Sequence, residues 1–269
     1  MSYYYVSQPQ TITSVNRNTP FGNISFLWTG SFPYTDFTNN YSTGISGANA
    51  ALTRRPAPTA SNRGRYIDAT ASGTIEYNLF APTTGVGNTT TNRARYSSTS
   101  GISVGVIFRR NSSAFNTNNG FNMTTPNFWS HRLQFTSNGN ITVASSNIGT
   151  ITSDSTYSVG QWVAAVATFR LGSAGAKLYV NGVQQSQTLT PTVLADTGID
   201  RASFATSGID VLAAFASKDI VGLEAAKLWY ENPWILFGQN QIRHRLLRDW
   251  NYVEQLPVTD TSKFLMFFG

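Results

Sequence analysis

The chain has 269 residues, a formal net charge of +6 and a sequence pI of about 9.6. Charged residues make up only 12% of it, against about 25% in ordinary globular proteins, while 41% are hydrophobic and 13% aromatic. The absence of cysteine excludes disulfide frameworks and thiolate metal sites, and no apolar run is long enough to span a bilayer.

The polar remainder is dominated by Ser, Thr, Asn and Gly, residues of turns and strand surfaces, so the composition points to an all-β chain. The opening "MSYYYVSQPQTITSV" has no basic stretch followed by an apolar one, so a secretory signal is not expected there. The basic residues are scattered as "TRR" at 53–55, "FRR" at 108–110 and "RHRLLR" at 243–248. Scattered arginines among Ser and Thr are a weak electrostatic footprint, and direct nucleic-acid recognition is not expected.

Residues 1–55 read as an N-terminal arm with some strand content, since "ISFLWTGSF" (24–32) is apolar but Gly and Asn punctuate its surroundings. "RRPAPTASNRG" (54–64) is linker-like, with two prolines and a glycine. Short strands follow. "GTIEYNLF" (73–80) sets Ile75, Tyr77 and Leu79 against Glu76 and Asn78, and "GISVGVIFRR" (101–110) turns Ile102, Val104, Val106 and Phe108 inward and Gly105 and Arg109 outward. In "HRLQFTSNGNITVAS" (131–145), a three-residue loop Ser137-Asn138-Gly139 pairs Phe135 with Ile141 and Leu133 with Val143, putting all four on one face. Such a loop ends in a left-handed residue, which Gly139 supplies.

Residues 160–182 read "GQWVAAVATFRLGSAGAKLYVNG". Val163, Ala165, Ala167 and Phe169 alternate with Trp162, Ala164, Val166 and Thr168, so this strand is expected to be covered on both sides. A two-residue turn at Asn181-Gly182 pairs Val180 with Val183 and Tyr179 with Gln184. Helical spacing is confined to the end, where Ile242, Leu246, Leu247 and Trp250 recur, and the closing "SKFLMFFG" needs a cover.

The stretch 157–186 resembles the central signature of laminin-G-like, concanavalin A-like jelly rolls: a "G-x-W" at Gly160 and Trp162, then "L-Y-V-N-G" at Leu178, Tyr179, Val180, Asn181 and Gly182. "GLEAAKLWYENPWILF" (222–237) looks like the closing strand of such domains in bacteriophage structural proteins, with Glu231, Asn232, Pro233, Trp234, Leu236 and Phe237 matching an "E-N-P-W-x-L-F" segment. The first resemblance implies a two-sheet antiparallel jelly-roll sandwich over 56–238. The second implies a virion component. The remainder, 239–269, would be a C-terminal extension with a short helix and an apolar tail.

For chemistry, no "E-x-D-x-x-E" run of glycosidic carboxylates and no "G-x-S-x-G" elbow occurs. His131 and His244 have no ligand partner at metal spacing and read as solvated or hydrogen-bonded histidines. No enzyme activity and no cofactor is expected, with calcium the one ion to consider. Asp154, Asp196 and Asp200 have suitable oxygen chemistry but are also ordinary turn caps. Phe128 and Trp129 in "TPNFWSHR" are the candidate glycan contacts. Tyr3, Tyr4, Tyr5, Phe264, Leu265, Met266, Phe267 and Phe268 are candidate assembly contacts. The expectation is a bacteriophage virion protein of head or tail, acting through contacts with other virion proteins and with its own copies. The alternative is an adhesion module recognising host surface glycans.

Overall fold

In the computed structural model, residues 12–16, 18–29, 41–44, 53–56, 65–68, 74–79, 101–111, 120–124, 130–145, 148–192, 201–205 and 208–239 are described. The strands run in the order β1 (Ile12–Val15), β2 (Ile24–Thr29), β3 (Tyr41–Gly44), β4 (Thr53–Pro56), β5 (Arg65–Asp68) and β6 (Thr74–Leu79). Next come β7 (Ile102–Arg110), β8 (Gly120–Thr124), β9 (Ser130–Phe135), β10 (Asn140–Ser145), β11 (Gly149–Thr156) and β12 (Val163–Phe169). The last are β13 (Ala176–Val180), β14 (Val183–Leu189), β15 (Arg201–Ala205), β16 (Ile209–Ser217) and β17 (Phe237–Gln239), with helix α1 (Leu223–Glu231) and a 3-10 turn at Pro233–Leu236 before β17.

The protein is an all-β, two-sheet antiparallel sandwich with one short helix near its C-terminus. One sheet has the order β11-β10-β9-β8-β15-β6-β3; the other runs β14-β13-β12-β7-β16-β5-β4, with β2 also pairing β16. Phe121, Leu133, Phe135, Ile141, Val143 and Ile151 from the first sheet meet Val104, Val106, Phe108, Ala165, Phe169 and Leu178 from the second in one buried core. The inward set expected for β7 is therefore the observed one.

The second sheet is buried on its other face too. Ile107, Ala164, Val166, Tyr179, Leu212 and Phe215 form an outer core beneath Ala225, Ala226, Trp229, Trp234 and Leu236. All seven residues of β12 are buried, as its two apolar faces require. Gly105 on β7 makes room for this cover: a Cβ there would fall 2.1 Å from the Phe215 ring. That ring meets Phe21 and Trp229 edge-on, at 5.2 and 4.8 Å between centroids. On β16 a bulge pairs Val211 with Phe108 but Ala213 with Ile107, which turns both Leu212 and Ala213 outward to the helical cover.

Both expected hairpins form in the expected register. Phe135 faces Ile141 and Leu133 faces Val143, with Gly139 at φ 90° and its N–H donating to Thr136 O at 3.0 Å. Val180 faces Val183 and Tyr179 faces Gln184, with Asn181 and Gly182 at φ 51° and 78°. Asn181 does more than turn. Its Oδ1 accepts the Ala164 N–H at 2.9 Å, and its own N–H donates to Ala164 O at 2.8 Å, so the turn is stitched to β12.

Two expectations are corrected. The segment 222–237 is not a closing strand: Leu223–Glu231 is helical, and Ala225, Ala226 and Trp229 form its buried stripe. A helix wins because Glu, Ala, Lys and Leu favour it and because the outer core needs a cover. Asn232, Pro233 and Trp234 of the resemblance lie at the helix end and in the 3-10 turn, with Trp234 fully buried. The first 55 residues are more than an arm. β2 pairs β16 and is buried along all six residues, with Phe26 and Trp28 in the inter-sheet core, and β4 crosses the boundary at residue 55. "ISFLWT" is apolar on both faces, and pairing with β16 buries both. The helix expected beyond residue 239 lies outside the described residues.

Candidate functional site

The strand alternation that fills the core leaves a polar face on the seven-stranded sheet. Phe121, Leu133 and Phe135 point inward, so Asn122, Arg132 and Gln134 lie outside; Ile141 and Val143 point inward, so Thr142 and Ala144 lie outside; and Ile151 sets Thr150 and Thr152 outside. Register aligns these positions across the strands. One row runs Asn122, Arg132, Ala144, Thr150, and the next runs Gly120, Gln134, Thr142, Thr152. Neighbouring strands stand about 4.8 Å apart, so the rows present hydrogen-bonding groups at sugar-sized intervals. Asn122, Arg132 and Gln134 are half-buried and Thr142 is buried, while Thr150 is exposed.

Behind this face the core holds a buried histidine with a polar partner. His131 is buried, its Nδ1 lies 3.0 Å from Ser145 Oγ, and its ring lies 4.5 Å from that of Phe169. Burial lowers its pKa from 6.5 to about 4. Of the two states expected from the sequence, solvated or hydrogen-bonded, His131 takes the second.

At one side the two sheets are laced together. The Asp154 and Thr152 N–H groups donate to Gln185 Oε1 (2.8 Å) and Gln187 Oε1 (2.9 Å), and Gln187 Nε2 donates to Thr150 O at 3.1 Å. Asp154 accepts from the Ser186 N–H at 2.8 Å and from Ser186 Oγ at 2.5 Å. A bulge in β11 between its pairings Thr142–Thr152 and Asn140–Thr156 frees Asp154 for this contact. Asp154 is thus an edge clasp. Burial first, and the Asp154 charge second, push the neighbouring Tyr157 hydroxyl above its ordinary pKa.

At the end of the other sheet, the Arg109 guanidinium lies 4.8 Å over the Trp162 ring, and its Nε donates to Asp210 Oδ2 at 2.7 Å. Asn111 Nδ2 donates to Asp210 Oδ1 at 2.7 Å. Trp162 of the G-x-W signature is therefore a rim residue packed on the outer core, directly before β12. Two further carboxylates also have structural partners: Asp219 accepts from the Asn23 N–H at 2.7 Å, and Glu224 pairs with Lys227 at 3.0 Å. Among the described residues no group of three His, Asp or Glu could hold a metal ion.

Phe128, Trp129, Tyr3, Tyr4, Tyr5, Phe264, Leu265, Met266, Phe267 and Phe268, with Asp196, Asp200 and His244, lie outside the described residues. Asn122, Arg132, Gln134 and Thr142 were not singled out from sequence. The alternation that gave Leu133 and Phe135 as core also gave their neighbours, but a search for aromatics passes over a face built from Asn, Gln, Thr and Arg.

No family model and no curated protein sequence matches the chain. Solved structures do. Trypanosoma rangeli sialidase in complex with sialic acid superposes with a TM-score of 0.56 at 10% identity, over 84% of this chain and 36% of that one. The likeness is one of fold. The receptor binding domain of botulinum neurotoxin D gives 0.54 at 15% identity, over 80% of this chain and 54% of its own. The botulinum neurotoxin serotype D ligand binding domain in complex with N-acetylneuraminic acid gives 0.51 at 15% identity, over 78% and 50%. The chain therefore spans 36% to 54% of the length of these structures.

Proposed function

We propose that the protein is a non-catalytic glycan-binding module that uses the polar face of the seven-stranded sheet. The observation that carries this is the pair of register rows through Asn122, Arg132, Gln134 and Thr142, polar side chains fixed on rigid strands directly behind an apolar core. The sialic acid and N-acetylneuraminic acid complexes among the similar folds support the same ligand class. Binding to an immobilised glycan panel tests it. Joint replacement of Asn122→Ala and Arg132→Ala should weaken binding at least about tenfold, since several hydrogen bonds are lost. Glu224→Ala, on the helix that covers the other sheet, should leave it unchanged. A parent that binds no glycan refutes the proposal.

A second role, assembly within a bacteriophage particle, has its own support. β1 and β17 pair with Ile12 opposite Gln239, so the two points at which residues 1–11 and 240–269 join the described fold are neighbours. Two aromatic-rich segments rooted at one spot suit a single attachment element for neighbouring subunits, and the E-N-P-W-I-L-F resemblance suits a virion setting. Mass spectrometry of purified particles should detect the full chain and lose it when both segments are deleted. Retention of the doubly truncated chain on particles rules out this role for the segments.

A further inference from the structure

Two side-chain oxygens on the polar face stand out. Gln134 Oε1 and Thr142 Oγ1 are both buried, and neither has a hydrogen-bond partner among the described residues. The residues face each other directly across β9 and β10, which places their Cβ atoms about 5 Å apart. Thr142 is only 5% exposed, whereas Gln134 is half-buried and its long side chain can swing. Beside Gln134 in the same row is Gly120, which brings no side chain. Buried polar atoms are nearly always satisfied, and two unsatisfied neighbours on one sheet face call for a ligand group.

Their chemistry selects that group. An amide oxygen only accepts, so the ligand atom must donate to Gln134. A threonine hydroxyl has one proton to give, so the same atom can accept from Thr142. A hydroxyl does both. A carboxylate cannot donate to Gln134, and an ammonium cannot accept from Thr142. We infer that Gln134 and Thr142 together read one neutral hydroxyl of the bound glycan. The inference rests on the proposed glycan-binding role and names the atoms that set its specificity.

The experiment measures binding of the full-length chain to immobilised neutral hexose oligosaccharides and to their sialylated counterparts, alongside melting temperatures. Thr142→Val and Gln134→Met should each weaken neutral-glycan binding about five- to tenfold, the effect of one lost hydrogen bond. Thr142→Ser, which keeps the oxygen, should retain it. Because Thr142→Val removes an unsatisfied buried group, its melting temperature should equal or exceed the parent's. A parent that binds glycans while both variants bind equally well overturns the inference and leaves the glycan-binding role standing. So does a Thr142→Val protein that melts several degrees lower. A parent that binds nothing on the panel overturns the glycan-binding role itself, and the inference with it.

Discussion

Acid should weaken this sandwich through one buried imidazole in particular. His131 is buried between the sheets, held by Ser145 and flanked by the Phe169 ring. Protonating it would place a charge in an apolar layer with no carboxylate among its described contacts. Burial accordingly lowers its pKa from 6.5 to about 4. Between these values the unfolded chain binds a proton that the folded chain refuses, so stability present above pH 6.5 is lost as the pH falls toward 4. Each tenfold rise in proton concentration across that window costs about 1.4 kcal/mol, which approaches about 3 kcal/mol in all. Urea unfolding at pH 7.5 and pH 4, for the parent and for His131→Gln, isolates the effect, because every other titrating group is common to both. The parent should lose about 3 kcal/mol more than the variant. Parallel losses in the two proteins would show that His131 carries no such penalty, and the physical account of its burial would fail.

Other substitutions probe the packing and the edges. Gly105→Ala should destabilise by about 1–3 kcal/mol in thermal unfolding, because the new methyl displaces the Phe215 ring, and Phe215→Leu in the same chain should recover part of the loss. Asn181→Ala should cost about 1–2 kcal/mol, from the positive φ and the lost bond to the Ala164 N–H. Asn181→Gly should cost less, since only the bond is lost. Joint Gln185→Ala and Gln187→Ala should speed hydrogen exchange at the Asp154 and Thr152 amides, whose acceptors are removed, and should raise concentration-dependent association through the bared strands. Unchanged exchange at those two amides would mean the glutamines do not hold the edge.

Local chemistry was the legible part of this chain. Both hairpins could be read because register follows from loop length and from the need to keep Phe135, Ile141, Leu133 and Val143 on one face. The two apolar faces of β12 announced a cover on each side, but not what the cover was. The answer sat in "LEAAKLWYE", whose alanines and lysine favour helix; resemblance to a closing strand masked that signal. Pairings between distant segments were illegible for a different reason. β2 joins β16 nearly two hundred residues away, and nothing in "ISFLWT" names its partner. The same holds for Gln185 and Gln187, which look like surface residues until β11 is seen alongside them. The candidate binding face was legible only as a by-product of the core, since polar residues on strands have no pattern apart from the apolar one they interrupt.

The short β1–β17 ribbon has a mechanical consequence. Its two strands are antiparallel, and the flanking chain enters and leaves at the same end, at Ile12 and Gln239. Tension applied between those flanks would therefore peel the ribbon one pair at a time, the weak direction for a two-stranded element, before any load reached the sheets. The ribbon would act as a fuse, giving way and lengthening under strain while the polar sheet face beyond it keeps its shape.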